Sequence, residues 1–179
     1  MATIVQYDRH KFRELVHYVC DQVDPDTLGT VKLHKVLYFA DMWHFLKTGH
    51  PITGETYRKQ HFGPVASHLL LTVEELEREG ALERRQAAWP GGTRTEFHTK
   101  RSARIDRLSQ SERAFVDEVI DFVIRKTAAE ISEFSHHQVW QAAEMGEELP
   151  YASAFHMSPA EVTEADLEWA AEEYRRRAN

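Results

Sequence analysis

The chain has 179 residues, of which 42% are hydrophobic and 28% charged, with a formal net charge of −7 at neutral pH. That length suits one domain able to bury roughly 70% of its unfolded surface. No run approaches the ~20 apolar residues of a bilayer span, no basic cluster leads into an apolar run near Met1, and the single cysteine, Cys20, excludes an internal disulfide and a multi-cysteine zinc cage, so a cytoplasmic protein without membrane contact is expected.

Asp8 caps a first helix whose apolar positions Phe12, Leu15, Val16, Val19 and Val23 follow the rhythm of one buried face. Asp24-Pro25-Asp26 breaks it. Thr30 caps a second helix, with Leu33, Val36, Leu37 and Ala40 on one face. Phe39, Met42, Trp43, Phe45 and Leu46 extend its apolar surface round the cylinder, which makes it the central helix of the fold. Gly49 suits its C′ position and Pro51 stops it. Residues 51–62 read as an extended loop with a short strand near residues 56–58. Gly63 permits a turn, and Pro64 suits the first position of a third helix over residues 64–79, with Val65, Leu69, Val73 and Leu76 on one face. Two strand-like runs, residues 82–89 and 93–99, are joined through Pro90-Gly91-Gly92 and predict a hairpin. Ser109 or Ser111 caps a fourth helix through Phe115, Val119, Phe122 and Val123. A fifth runs to Glu144 from about Ala129 or from a Ser135 cap, with Trp140 buried. Residues 150–157 read as loop, and Ser158-Pro159 or Thr163 opens a last helix with the sparse apolar face Val162, Leu167, Trp169 and Tyr174. The expected fold class is mainly α: a compact multi-helix domain with one small two-stranded, wing-like β-hairpin after the third helix. Residues 1–157 would form a single domain, with its motif core at residues 31–151 and residues 158–179 appended as a C-terminal helix.

Three ordered motifs mark this core. The first is Lys32-Leu33-His34-Lys35-Val36-Leu37-Tyr38-Phe39-Ala40-Asp41. The second is Gly49-His50-Pro51-Ile52-Thr53-Gly54-Glu55-Thr56-Tyr57, and the third is Gly63-Pro64-Val65, followed downstream by Ser135-His136 and Trp140. In order and spacing they resemble the KLxKLLYFAD-like helix, the G-x-P-I-T-G-[DE]-x-Y loop, the Gly-Pro-Val tripeptide and the S-H…W element of the Panacea (SocA-like antitoxin) domain family. His61 and Ala66 depart from the pattern, where an aromatic or lysine and a second proline are usual. The resemblance implies the antitoxin half of a two-gene toxin–antitoxin system of the kind often carried by phages. Such a domain is not an enzyme and has neither cofactor nor metal. Its partner would be a cognate protein toxin, blocked directly or delivered to a protease, and some antitoxins also bind their operator DNA.

Interface cores favour aromatics, Met and Arg, and Tyr38, Met42, Trp43, Phe45, Tyr57 and Phe62 lie within 25 positions of one another. The expected partner-binding patch is Tyr57, Arg58, Lys59, His61 and Phe62, exposed on the loop. Lys32, Leu33, Tyr38, Asp41, Gly54, Gly63, Pro64, Val65, His136 and Trp140 are the expected framework. His34 and Lys35 flank the buried stripe, within reach of solvent or a partner.

Two other readings compete. Residues 83–107 carry seven basic and three acidic residues, whereas residues 144–173 carry nine acidic residues and no Lys or Arg. A recognition helix running into a basic wing would bind DNA, with Arg84, Arg85 and Arg94 on phosphates and Ser67, His68 and Thr72 at base edges. The same charges would also steer an acidic protein partner. His34, Asp41 and His44 at i, i+7 and i+10, joined by His61 and His68, would form a zinc or hydrolytic site, but no HExxH, paired cysteine or Ser–His–Asp signature fixes such a geometry. Oligomeric state is open, and a homodimer would give the sparse last helix a surface to cover.

Overall fold

The computed structural model describes residues 5–157. Asp8 accepts a hydrogen bond from Lys11 N and starts α1 (Arg9–Gln22), whose stripe Phe12, Leu15, Val16 and Val19 is fully buried. The next helix, α2 (Pro25–Thr48), begins earlier than Thr30. The expected break between the first two helices falls at Val23-Asp24, proline is tolerated in the first turn of α2, and Gly29 interrupts that helix at φ 57°, ψ 166°, so the expected start at Thr30 survives as a kink. Beyond the kink Leu33, Val36, Leu37, Tyr38, Phe39, Ala40 and Met42 have no exposed surface. Gly49 closes α2 in the left-handed conformation, its N–H donating to Phe45 O. α2 is the central element: α1, strands of two hairpins and two of the later helices pack on it.

The expectation of one hairpin is wrong, because the fold has two separate two-stranded antiparallel sheets. In the first, β1 (Tyr57–Gln60) pairs with β2 (Gly63–Ala66), with Gln60 opposite Gly63 and Tyr57 opposite Ala66. Gly63-Pro64-Val65 is thus strand rather than helix start, and α3 is shorter than expected, Leu69–Arg78. Proline's fixed φ suits a first helical turn or an extended edge strand equally. The second hairpin lies where it was expected, β3 (Leu82–Trp89) against β4 (Gly92–Thr99), turning on Pro90-Gly91.

Ser109 forms a capping box with Glu112 at the start of α4 (Gln110–Ile124). The single fifth helix divides into α5 (Ala128–Phe134), with a Thr127–Glu130 capping box, and α6 (Gln138–Ala142), capped by His137. Buried Ser135 marks the division, its hydroxyl donating to Ser132 O instead of extending a helix. The expected loop near residues 150–157 contains a 3₁₀ segment, Tyr151–His156, packed on α2. The expected C-terminal helix lies outside the described residues, among which no helix is long and apolar enough to cross a membrane.

Candidate functional site

The motif residues meet at the carboxyl group of Asp41, which is wholly buried at the last position of the first motif. Its Oδ1 accepts from Thr53 N at 2.7 Å. Its Oδ2 lies 2.5 Å from Thr53 Oγ1, 2.9 Å from Tyr57 OH and 3.3 Å from Tyr151 OH. Each tyrosine hydroxyl has one proton and a second acceptor in reach, Leu37 O for Tyr57 and Glu55 O for Tyr151, both at 2.8 Å. Burial pushes the Asp41 carboxyl above its ordinary pKa, while the hydrogen bonds from Thr53, Tyr57 and Tyr151 pull it down. This network folds the loop onto α2. Gly54 turns at φ 71° hard against Gln6 O, where a Cβ would lie 2.3 Å from that oxygen. The fully buried Glu55 carboxylate then accepts from Thr56 N and His68 N, and His68 Nδ1 lies 3.0 Å from it while its ring stacks on Tyr7. Burial raises the Glu55 carboxyl against the pull of His68.

Tyr57 is therefore a core residue, 1% exposed, and not part of an exposed patch. Asp41, sixteen positions away, draws its hydroxyl inward. Arg58 and Lys59 are turned toward the chain's own later segment. Arg58 donates to Gly146 O and faces Glu148 at 3.9 Å. Lys59 Nζ donates to Ala143 O at 2.9 Å and lies 4.4 Å above the Trp140 ring, which also stacks on His136. Of the five expected residues, His61 and Phe62 stand free at the β1–β2 turn, and Phe62 is 70% exposed.

That turn is held from beneath by residues of other elements. Ser132 Oγ donates to Phe62 O at 2.6 Å, and Lys35 Nζ donates to Pro64 O at 3.1 Å. Lys35 does not reach solvent as expected, since its side chain is fully buried. Burial pushes its ammonium down to about 7. His34 is turned inward too: its Nδ1 accepts from Ala66 N, and burial lowers it to about 4. A lone lysine in a low-dielectric site gives a pH signature. The depressed folded pKa means that the unfolded chain holds the extra proton between about 7 and 10.5, so this group's penalty is complete below 7 and disappears as pH rises through that window. Lys35→Met is expected to abolish it. Urea unfolding at pH 6.5, 8 and 9.5 should show the wild type gaining a few kcal/mol relative to Lys35→Met across the series; a constant difference would mean that the amine is solvated.

Beside the turn runs a cleft of about 470 Å³. Its floor is Thr30 and His34 of α2, one wall is Val65, Leu69, Leu70 and Val73, and the other is one face of the β3–β4 hairpin, Arg84, Gln86, Thr95 and Phe97. Two more clefts share Thr30, one of about 250 Å³ with Phe62 and Lys35, one of about 650 Å³ with Lys32, Lys126 and the exposed Trp89. Leu33 lies in the core beneath them.

The seven basic residues of residues 83–107 each have an acidic partner. Arg84 holds Glu77 at 2.6 Å, Arg85 and Lys100 share Glu83, and Arg94 holds Glu96 at 2.8 Å while lying 4.8 Å over Trp89. Arg101 pairs with Glu79, Arg104 with Asp106 and Arg107 with Asp8. Phosphates reaching the expected contacts Arg84, Arg85 and Arg94 would first have to displace these carboxylates. Ser67 is exposed, but Thr72 is buried and His68 is engaged by Glu55. The histidines do not converge: His34 holds Ala66 N, His44 Nδ1 lies 2.6 Å from His50 O, and no group of three or more metal-ligating side chains forms among the described residues.

No periodicity marks Thr53, Glu55, Ser132 or Tyr151 as framework, because each bonds to a residue distant in sequence. Gly63 shows why its motif has no room for a side chain. At φ 94° its Cβ would lie 2.2 Å from Ser135 Oγ and 2.7 Å from Lys35 Nζ. The tripeptide, the Lys35 position and the Ser135-His136 element are thus three sides of one contact. No curated protein and no solved structure is significantly similar to the chain. A family model described as Antitoxin SocA-like, Panacea domain, matches residues 33–141, which span every element from the central helix to α6 and more than half of the sequence; the chain belongs to that family.

Proposed function

We propose that the protein is an antitoxin that neutralises a cognate protein toxin by binding it directly, and that the β1–β2 turn with its adjoining clefts is the face it uses. The observation that carries this reading is Phe62. It is a large aromatic side chain, 70% exposed, on a turn whose backbone carbonyls are fixed by two buried side chains, Ser132 and Lys35. A rigid exposed aromatic loses little conformational entropy on binding and makes an effective interface anchor. The role needs no catalytic group, and no step of chemistry is assigned to the Asp41 network, whose hydrogen bonds are spent on architecture.

The test is co-expression with the product of an adjacent open reading frame that is toxic alone. Phe62→Ala is expected to weaken capture of that toxin by about 1–3 kcal/mol, a factor of roughly 5 to 150, with an unchanged melting temperature. Tyr57→Ala, by contrast, should unfold the protein rather than weaken binding selectively. Full capture by a folded Phe62→Ala protein would move the interface elsewhere, and no rescue by the wild type would end the antitoxin reading.

A further inference from the structure

We infer that the partner presents an acidic, amphipathic segment to the clefts around Thr30, its carboxylates meeting Lys32 and Lys126 and its apolar side chains meeting the wall of Val65, Leu69 and Leu70. This deepens the antitoxin reading, on which it rests for the identity of the partner but not for its chemistry.

The chain as a whole carries −7, yet the charged side chains lining the 650 Å³ cleft are Lys32, Arg94, Arg125 and Lys126 against a single carboxylate, Asp26. Arg94 is committed to Glu96, and Arg125 lies 3.7 Å from Asp121. The two lysines differ: among the described residues neither makes an ion pair, although Lys126 lies within electrostatic reach of Glu130, whose carboxyl is already engaged by Thr127. Lys32 Nζ rests on Ile124 O at 3.3 Å. Lys126 Nζ rests on Phe122 O at 3.5 Å and lies 3.6 Å from the centre of the Phe122 ring. An ammonium has three donors, and each of these donates to one backbone carbonyl. Two carboxylates arriving there would exchange weak contacts for charge-assisted hydrogen bonds in a partly desolvated place, where such bonds are strong.

The adjoining cleft asks for a different chemistry. Its wall is aliphatic, and Leu70 is 59% exposed beside it. An occupant that satisfies both clefts is acidic at one end and apolar at the other. A nucleic acid would meet the two lysines but has no use for the aliphatic wall, and the hairpin cations that would track its backbone are already paired with carboxylates.

The experiment uses the full chain, isotope-labelled, with amide shifts as readout. Two probe peptides of about 16 residues share one pattern of leucines, with glutamates in one and lysines in the other at the remaining positions. The glutamate peptide is expected to shift amides near Thr30, Lys32, Leu70 and Lys126. Its binding should fall roughly tenfold when salt rises from about 50 to about 500 mM, and by a similar factor in Lys32→Glu/Lys126→Glu. Lys126→Gln, at a part-exposed position next to a turn, gives a smaller loss in the same direction if the double variant does not fold. Equal binding of the lysine peptide, or glutamate-peptide binding unaffected by Lys126→Gln, overturns the inference. Stronger shifts of the same amides by a thymidine oligonucleotide assign the clefts to nucleic acid instead, and saturation by a peptide of residues 158–179 assigns them to the chain's own end. Failure of the wild type to capture any toxin strikes the antitoxin reading and leaves these peptide outcomes standing.

Discussion

Asp41→Ala is expected to destabilise the protein by roughly 3–5 kcal/mol, a large fraction of the ~5–15 kcal/mol that holds an ordinary domain together. Four donors converge on this carboxyl group: Thr53 N, Thr53 Oγ1, Tyr57 OH and Tyr151 OH. The three donors of Thr53 and Tyr57 cannot reach water when the methyl group replaces it, because these residues are 1% exposed, whereas Tyr151 is part-exposed. An unsatisfied buried donor costs about 1–3 kcal/mol, and the two tyrosines retain only their second acceptors, Leu37 O and Glu55 O. Asp41→Asn separates the two protonation states. Its amide keeps one acceptor for Thr53 N and places a donor where Oδ2 accepts from three hydroxyls, which can turn to accept from it. Since asparagine keeps the side chain's shape and the Thr53 N acceptor, and each tyrosine hydroxyl has a second acceptor, this variant should retain most of the stability lost by alanine. Denaturant unfolding of both variants measures this; an asparagine as damaging as alanine would show that the site requires the charged form.

Gly63→Ala is the second large effect, at roughly 3–5 kcal/mol from two separable causes. Backbone strain at φ 94° contributes about 1–3 kcal/mol for any L-residue. The remainder is overlap, for the new Cβ falls 2.2 Å from Ser135 Oγ and 2.7 Å from Lys35 Nζ, and both side chains are buried. Ser135→Gly removes one obstacle, so the double variant should recover part of the loss and leave the strain. Additive losses in that double-mutant cycle would mean that the turn moves away instead. Under the antitoxin role proposed above, toxin capture should fall further than stability predicts, since the displaced turn carries Phe62.

The two variants bracket what each kind of information supplied. Local chemistry was readable wherever a residue acts on its immediate neighbours. The Asp8 and Ser109 caps, the Gly49 stop, the Pro90-Gly91 turn and the apolar stripe of α1 all depend on partners within a few positions. So did the family, because ordered motifs survive as a linear pattern. Function class came from that pattern and not from periodicity.

The tertiary structure decided whatever depended on distant partners. Pro64 suits a helix start as well as a strand, and the pairing of Gly63 with Gln60, with Lys35 on Pro64 O, made it strand. Tyr57 looks like a loop aromatic until Asp41 takes its hydroxyl. The basic run of residues 83–107 looks like a nucleic-acid surface until Glu77, Glu79 and Asp8, contributed by other elements, are seen to neutralise part of it. The sequence by itself determined the first and fourth helices, the core of the second, the second hairpin and the membership of an antitoxin family. Only the tertiary structure could divide the motif residues into buried framework and the exposed turn at Phe62, because burial is a property of what the rest of the chain places around a side chain.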